Sequence, residues 1–257
     1  MYLFLFACMS KKNVSSDVPE SEDNIQETTK EDSREDSTEE NVQKPERGVV
    51  LDGQYIDVRW DDGDTFSGTL ISENGKERIK ARLNGYNTLE SYGPVHSWGD
   101  WTPEELYVLA KKSGAVANEG LWECTDMKSG GGYGRKLIDC PQLRRELLLQ
   151  GLAHPFSVGR PASGEDVSAM KEAMDKGVGI WEKGAPKTLI TSLHSADEDS
   201  EKAPYNRICD LSTGSCDAIN HTDTYAVCQK VCVGDSCMIY VPYLNRYKEE
   251  MKAECIK

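Results

Sequence analysis

Residues 61–90 read DDGDTFSGTLISENGKERIKARLNGYNTLE, and the reading of the fold starts from this run. A strand over residues 55–60 leads into the tight acidic turn DDGDT. A second strand over 66–72 turns back at Glu73-Asn74-Gly75. A third covers 78–83, carries Arg82 and ends in NTLE. Asn-Gly between runs of alternating apolar residues signals a hairpin, because the turn needs positive φ at both central residues. The stretch is predicted to be a β-meander that gathers Asp64, Arg82, Asn87 and Glu90 at one end. Carboxylates facing an arginine suggest a metal-assisted phosphate site.

Downstream, Thr102-Pro103-Glu104-Glu105 reads as a helix start, with Thr102 as N-cap, Pro103 at the first helical position and Glu105 closing a capping box. That helix runs to about Asn118, stops at Gly120 and buries Leu106, Leu109 and Ala110. Residues 121–124 and 136–140 read as two strands around the glycine-rich loop 130–134, which puts Cys124 and Cys140 on neighbouring strands and predicts a disulfide between them. A second helix covers 141–152 with Leu143, Leu147 and Leu148 inward. A third begins at Ser163 with Asp166 at N3, and Val167, Met170, Met174 and Val178 recur at helical spacing as core. Five strands and three helices in this order predict an α+β domain over 48–186, an OB-type five-stranded barrel with three helices.

Three short runs in order carry a resemblance. Asp62-Gly63-Asp64-Thr65, then Arg82-Leu83-Asn84-Gly85-Tyr86-Asn87-Thr88-Leu89-Glu90, then Tyr133-Gly134-Arg135 resemble the motifs of the staphylococcal nuclease-like (thermonuclease) family, over roughly residues 49–183. GLA at 151–153 and GVGIW at 177–181 sit where that family has similar phrases. The resemblance implies the OB-type barrel and calcium-dependent hydrolysis of phosphodiester bonds in DNA and RNA. It implies catalytic roles for Arg82, Glu90 and Arg135, a calcium site at Asp64, Asn87 and Thr88, and nucleic-acid contact by Tyr133. One position departs from the pattern: Asn87 stands where the family usually has a metal-binding aspartate.

The chemistry of these residue types agrees with those roles. Asp64, the Asn87 side chain and the Thr88 carbonyl are hard oxygen donors of the kind calcium accepts, and Asp62 is a further carboxylate behind them. Glu90 is the candidate general base, or the group that orients the attacking water. Arg82 and Arg135 each offer a planar fork of N–H donors to phosphate oxygens. Asn87 keeps an oxygen ligand but removes one negative charge, and calcium affinity falls with ligand charge. The same Asp and Asn residues also suit plain turns. A run near residues 92–101 adds Trp98 and Trp101, which either stack on bases or cover the barrel. The four histidines form no spaced pair and no C-x-x-C occurs, so zinc is the weaker reading. The glycine run at 130–134 does not lead into a helix and is not a dinucleotide loop.

The whole chain has 257 residues and a formal net charge of −14. Such a chain is a poor non-specific binder of nucleic acid, but the charge is concentrated. Residues 11–47 are crowded with Asp and Glu and almost free of large apolar side chains, which predicts a disordered tether. Ahead of it, MYLFLFACM at residues 1–9 is too short to span a bilayer, and no transmembrane helix is predicted. Leu5-Phe6-Ala7-Cys8 resembles a bacterial lipobox, so residues 1–10 read as a lipoprotein-type signal remnant with Cys8 lipidated and the true start upstream. Nine cysteines, eight once Cys8 is set aside, point to an oxidising compartment, hence to an exported, secreted or envelope-anchored protein that meets the membrane only through a lipid.

Residues 187–203 read as a polar linker and 204–257 as a small disulfide-rich module. It has six cysteines and too little length to be stable on core burial alone. Cys228 and Cys232 read as sharing a helix face, and so as bonding to different partners. Tyr243, Leu244, Tyr247 and Met251 suggest a last amphipathic helix ending at Cys255. Three functions are compatible with the sequence: an exported metal-dependent nuclease; a nuclease-like barrel that binds nucleic acid or protein without cleaving; and a structural surface lipoprotein, against which Arg82, Glu90 and Arg135 argue.

Overall fold

The computed structural model describes residues 45–72, 75–198, 204–246 and 253–256. Cys8, the signal remnant and nearly all of the acidic tether lie outside the described residues, as do Glu73 and Asn74 of the expected turn. The structure is α+β. Strands β1 (Gly48–Leu51) and β2 (Gln54–Ile56) form a hairpin. Its two turn residues, Asp52 and Gly53, both have positive φ, the backbone a two-residue hairpin turn requires. β3 (Val58–Trp60), β4 (Thr65–Ser72) and β5 (Gly75–Leu83) then make the expected meander. β6 (Tyr86–Thr88) and β7 (Val95–Trp98) follow, then α1 (Pro103–Glu119) with the predicted Thr102–Glu105 capping box. β8 (Leu121–Gly130) and β9 (Lys136–Asp139) flank the glycine loop.

Seven of these nine strands form one sheet in the order β2-β1-β8-β9-β5-β4-β3, while β6 and β7 pair elsewhere. Its first and last members are separated in the chain only by Asp57, so the sheet curls nearly closed into a barrel. The five-strand expectation is therefore too small. The run read as one strand over 55–60 divides at Asp57 between the two edges of the sheet, and β1 enters by pairing parallel with β8. That pairing spans some seventy residues of chain and leaves no local pattern to read.

α2 (Pro141–Leu149), β10 (Ala153–Pro155), β11 (Ser157–Val158) and α3 (Gly164–Lys176) complete the barrel region. Leu106, Ala110 and Ala117 of α1, Leu143, Leu147 and Leu148 of α2, and Met170 of α3 are buried in one core with Phe66, Leu83, Tyr86 and Ile138. Each such large side chain contributes roughly 1.5–3 kcal/mol by leaving water. Trp98 and Trp101 are buried too. Their indole N–H groups donate to the carbonyls of Gly184 at 3.3 Å and Ile180 at 3.0 Å, so both cover the barrel rather than offer a face to a base.

The stretch read as a linker carries β12 (Thr188–Ser192), paired antiparallel with β13 (Tyr205–Asp210). β14 (Ser215–Asn220) completes a sheet in the order β11-β14-β13-β12. β15 (Lys230–Val233) and β16 (Ser236–Ile239) form a hairpin that pairs with β7, in the order β15-β16-β7. Leu189 and Leu211 join the barrel's own core, whereas Ile190, Leu193, Tyr225, Met238 and Tyr240 form a second, smaller one. Residues 44–257 cluster as a single compact unit.

Four disulfides join Cys124–Cys140, as expected, and Cys209–Cys216, Cys228–Cys255 and Cys232–Cys237. Cys228 and Cys232 do take different partners, but not from a helix face. Cys228 has positive φ and Cys232 lies on β15. Residues Tyr243–Asn245 form a single 3-10 turn in which Tyr243 and Leu244 are exposed, so they do not start an inward-facing stripe. Tyr247 and Met251 lie outside the described residues. No helix among the described residues is long and apolar enough to cross a membrane.

Candidate functional site

The acidic turn is closed by its own backbone: the Asp61 N–H donates to the Thr65 carbonyl at 2.9 Å. The Asp64 N–H donates to Asp62 Oδ1 at 3.2 Å. Gly63 permits the turn to sit where it does, since a Cβ there would lie 2.7 Å from Thr88 Cγ2 and 2.8 Å from Ser113 Cβ of α1. β4 then starts with Thr65 directly opposite Arg82 of β5. The Leu83 N–H donates to the Asp64 carbonyl at 2.8 Å, and β5 turns through Asn84-Gly85 into β6. Strand pairing thus brings residues nearly twenty apart in sequence to one barrel end.

Asp64 and Arg82 are the centre of the cluster. One Arg82 nitrogen donates to Asp64 Oδ1 and the other to Asn87 Oδ1. Thr65 Oγ1 adds a bond to Asp64 Oδ1 at 3.0 Å. Asp64 Oδ2 accepts from the Thr88 N–H at 2.8 Å and from Thr88 Oγ1 at 3.3 Å. The Asn87 amide donates to the Thr88 carbonyl at 2.7 Å. Asp64, Asn87 and Thr88 are almost fully buried.

Burial and surrounding charge shape the titration of this cluster. Glu90 is held up at about 7, first by burial and then by the Asp64 charge. Burial, with Asp64 and Glu90 beside it, raises Asp62 well above the usual carboxylate range. Burial pulls the Arg82 guanidinium down, but Asp64, Asp62 and Glu90 outweigh it and leave its pKa raised. Arg135 is lowered, by burial first and by Arg82 second. The sites feel one another's charge, and so they form one electrostatic unit.

Arg135, on the glycine loop, feels the charge of this unit, and Tyr133 lies beside it. Gly131 lets the loop lie against β5, since a Cβ on it would be 2.9 Å from Arg82 Cβ and 3.1 Å from the Lys136 carbonyl. The Arg135 guanidinium donates to the carbonyls of Gly132 and Gly131, both at 3.2 Å, and lies 5.7 Å from the Tyr133 ring centroid. Tyr133 is largely exposed, at 74%.

Several residues near the site carry no sequence signal. His154 of β10 is the register partner of Asn87. It is fully buried, and that burial lowers its pKa to about 4. Its Nδ1 donates to the Pro155 carbonyl at 2.9 Å, so the tautomer is fixed. Phe156 follows, its N–H donating to the Gly85 carbonyl at 2.9 Å. Arg246 reaches the Leu193 carbonyl at 3.2 Å and Glu198 Oε1 at 3.4 Å, and its charge is felt by Glu90. His154 and Phe156 arrive through the pairing of β10 with β6, and Arg246 through hydrogen bonds to Leu193 and Glu198, links between distant parts of the chain that local motifs do not encode.

The donor set can be tested against calcium. Asp64 Oδ, Asn87 Oδ1 and the Thr88 carbonyl are hard oxygens grouped within hydrogen-bond reach, and their type fits the ion. They bring only one formal charge, and their lone pairs already accept from Arg82, Thr65, Thr88 and Asn87. Calcium affinity falls with ligand charge, so one carboxylate is a sparse donor set for the ion. Among the described residues, no group of three or more His, Cys, Asp or Glu side chains is placed to hold a metal. Comparisons with protein-family models and with curated proteins found no match to this chain.

Proposed function

We propose that this protein is an exported nuclease of the thermonuclease-like kind, hydrolysing phosphodiester bonds of DNA or RNA. The observation that carries the reading is the convergence of Asp64, Arg82, Asn87 and Glu90 at one barrel end, with Arg135 on the facing loop. In this reading a phosphate enters beside Arg82 and Arg135, whose N–H groups stabilise the charge that builds on phosphorus, a contribution on the order of several kcal/mol. Glu90, poised near neutrality, accepts the proton of the attacking water. Tyr133 offers its exposed ring to a base. Asp64, Asn87 and the Thr88 carbonyl are the residues that would hold calcium, which would supply polarisation of the phosphate and the water. Four disulfides support an oxidising compartment, and lipidation at Cys8 would anchor the chain there.

The test is cleavage of single-stranded DNA and RNA by the oxidised protein, with calcium, with chelator, and with Glu90→Gln as control. Calcium-dependent cleavage that is lost in Glu90→Gln supports the reading. A second reading, a barrel that binds nucleic acid without cutting it, is favoured by one feature: the Arg82 fork spans Asp64 and Asn87, taking lone pairs that a cation needs. Binding without cleavage, with cleavage gained on Asn87→Asp, would select that second reading.

A further inference from the structure

One cluster of side chains near the site is not used by the reaction above, and it comes from the C-terminal sheet. β11 pairs parallel with β14, and β14 with β13, so Tyr205 and Arg207 of β13 come up beside Phe156 and the glycine loop. The Phe156 ring has a guanidinium carbon on two counts, Arg82 at 5.7 Å and Arg207 at 5.5 Å from its centroid. Arg207 lies 5.2 Å from the Tyr205 ring centroid. The Tyr205 and Tyr133 hydroxyls are 3.5 Å apart. The Arg207 Nε is buried and has no hydrogen-bond partner among the described residues. An unmet guanidinium donor is costly to bury and marks a place for an acceptor.

Arg135, Tyr133, Tyr205 and Arg207 therefore continue the Arg82 centre as a line of two tyrosine rings set between two guanidiniums. We propose that Tyr205, Arg207 and Phe156 form a nucleotide subsite next to the reacting phosphate, in which Arg207 takes a neighbouring phosphate of single-stranded nucleic acid and an unstacked base lies on the tyrosine rings. The subsite rests on the nucleic-acid reading above and extends it: the C-terminal sheet supplies substrate contacts, not only bracing. The physical need is plain. A chain of net charge −14 repels polyanions at long range, so grip on a strand depends on local guanidiniums and on stacking, which accepts any base.

The test uses the full, oxidised chain in chelator, so that no cleavage occurs. Fluorescence anisotropy measures binding of labelled dithymidylate and octathymidylate to wild type, Arg207→Gln, Arg207→Lys, Tyr205→Ala and Arg135→Gln, with a melting curve for each. Arg207→Gln, which removes a phosphate contact, and Tyr205→Ala, which removes a stacked base, should each weaken octathymidylate binding by about tenfold, while dithymidylate changes less than about twofold. Arg207→Gln should lower the salt slope by about 0.7, and Arg207→Lys should restore it. Arg135→Gln should weaken both lengths. If Arg135→Gln weakens binding but the Arg207 and Tyr205 variants bind both lengths as wild type does, the subsite is overturned and the central site stands. If wild type binds neither length, the nucleic-acid reading falls and the subsite with it. Should Arg207→Gln not fold, Tyr205→Ala carries the same decision.

Discussion

The barrel end and the C-terminal sheets hold their side chains by different means. At the barrel end, Asp64, Asn87 and Thr88 are buried among strands whose backbones share a large apolar core, and each is fixed by several hydrogen bonds. In the C-terminal sheets the separate apolar core is small, and two disulfides join residues already opposite each other in register, Cys209 with Cys216 and Cys232 with Cys237. The first region is made rigid by packing and polar satisfaction, the second by cross-links. Reaction chemistry tolerates little displacement, whereas grip on a flexible strand tolerates more. The division of labour proposed above follows that difference.

The largest effect that tests the comparison is on the reaction itself. Glu90→Gln should lower cleavage by on the order of 10²–10⁴ while the melting temperature holds or rises, because Glu90 is a carboxylate disfavoured by burial and by Asp64. Arg82→Leu should abolish cleavage as well, and in addition destabilise the fold by about 3–5 kcal/mol, since it leaves the buried Asp64 charge without its partner. Kinetics and melting measured together separate the two. An Arg82→Leu protein as stable as wild type would sink the buried-pair account of the barrel end.

Next in size are the cross-links. Cys228–Cys255 closes the longest loop, with a sequence separation of 27, against 5 for Cys232–Cys237. In the chain-entropy description these contribute about 3.5 and about 2 kcal/mol. Replacing Cys228 and Cys255 by serine should raise amide exchange in β15 and β16 while β4 and β5 keep their protection. Equal loosening of both regions would show that the barrel depends on the tail as much as the tail depends on its cross-links.

The same contrast explains what could be read from sequence. The acidic turn, the Thr102 capping box, the Ser163 cap and the Cys124–Cys140 pairing were legible because turn chemistry and helix caps act over a few residues. Arg82, Asp64 and Asn87 came together because one meander carries all three. β1 and β12 were not legible. The first lies in the short apolar run that follows the acidic stretch, and the second, with Leu189 and Ile190 buried, inside a stretch whose overall composition is polar. Phe156, Tyr205 and Arg207 come near the site through strand pairings between distant segments, and Arg246 through hydrogen bonds to Leu193 and Glu198. Cys228 and Cys232 fit a helical spacing by accident, since one sits at positive φ and the other on a strand.

A smaller effect is expected at the residues proposed to hold calcium. Asn87→Asp adds the missing carboxylate charge and should tighten calcium by about tenfold or more, read by calorimetry. In the metal-free protein it places a carboxylate near Asp64, so calcium should raise the melting temperature of the variant more than that of wild type. Equal calcium responses would mean that Asn87 does not face the ion.

The smallest effect lies where the two regions meet. His96 is on β7, the strand that pairs with β16 of the C-terminal hairpin. It is buried, neither ring nitrogen has a hydrogen-bond partner among the described residues, and burial, with His154 nearby, lowers its pKa to about 3. In the unfolded chain the same ring titrates near 6.5. Below that pH the unfolded state takes up a proton that the folded state refuses, so stability is full above about 6.5 and falls as the pH drops toward the folded value. The loss is about 1.4 kcal/mol at pH 5.5 and grows by nearly as much again for each further unit. His154, lowered to about 4 by burial, adds a similar contribution. His96→Leu should remove the His96 share and flatten the acid limb of a urea-denaturation series run from pH 7 to about pH 5. At neutral pH it should cost little, because it removes unmet polar atoms along with the ring's contacts. An acid limb unchanged in His96→Leu would mean that the ring finds a proton partner in the folded protein, and that the seam between barrel and tail is more open to water than its burial indicates.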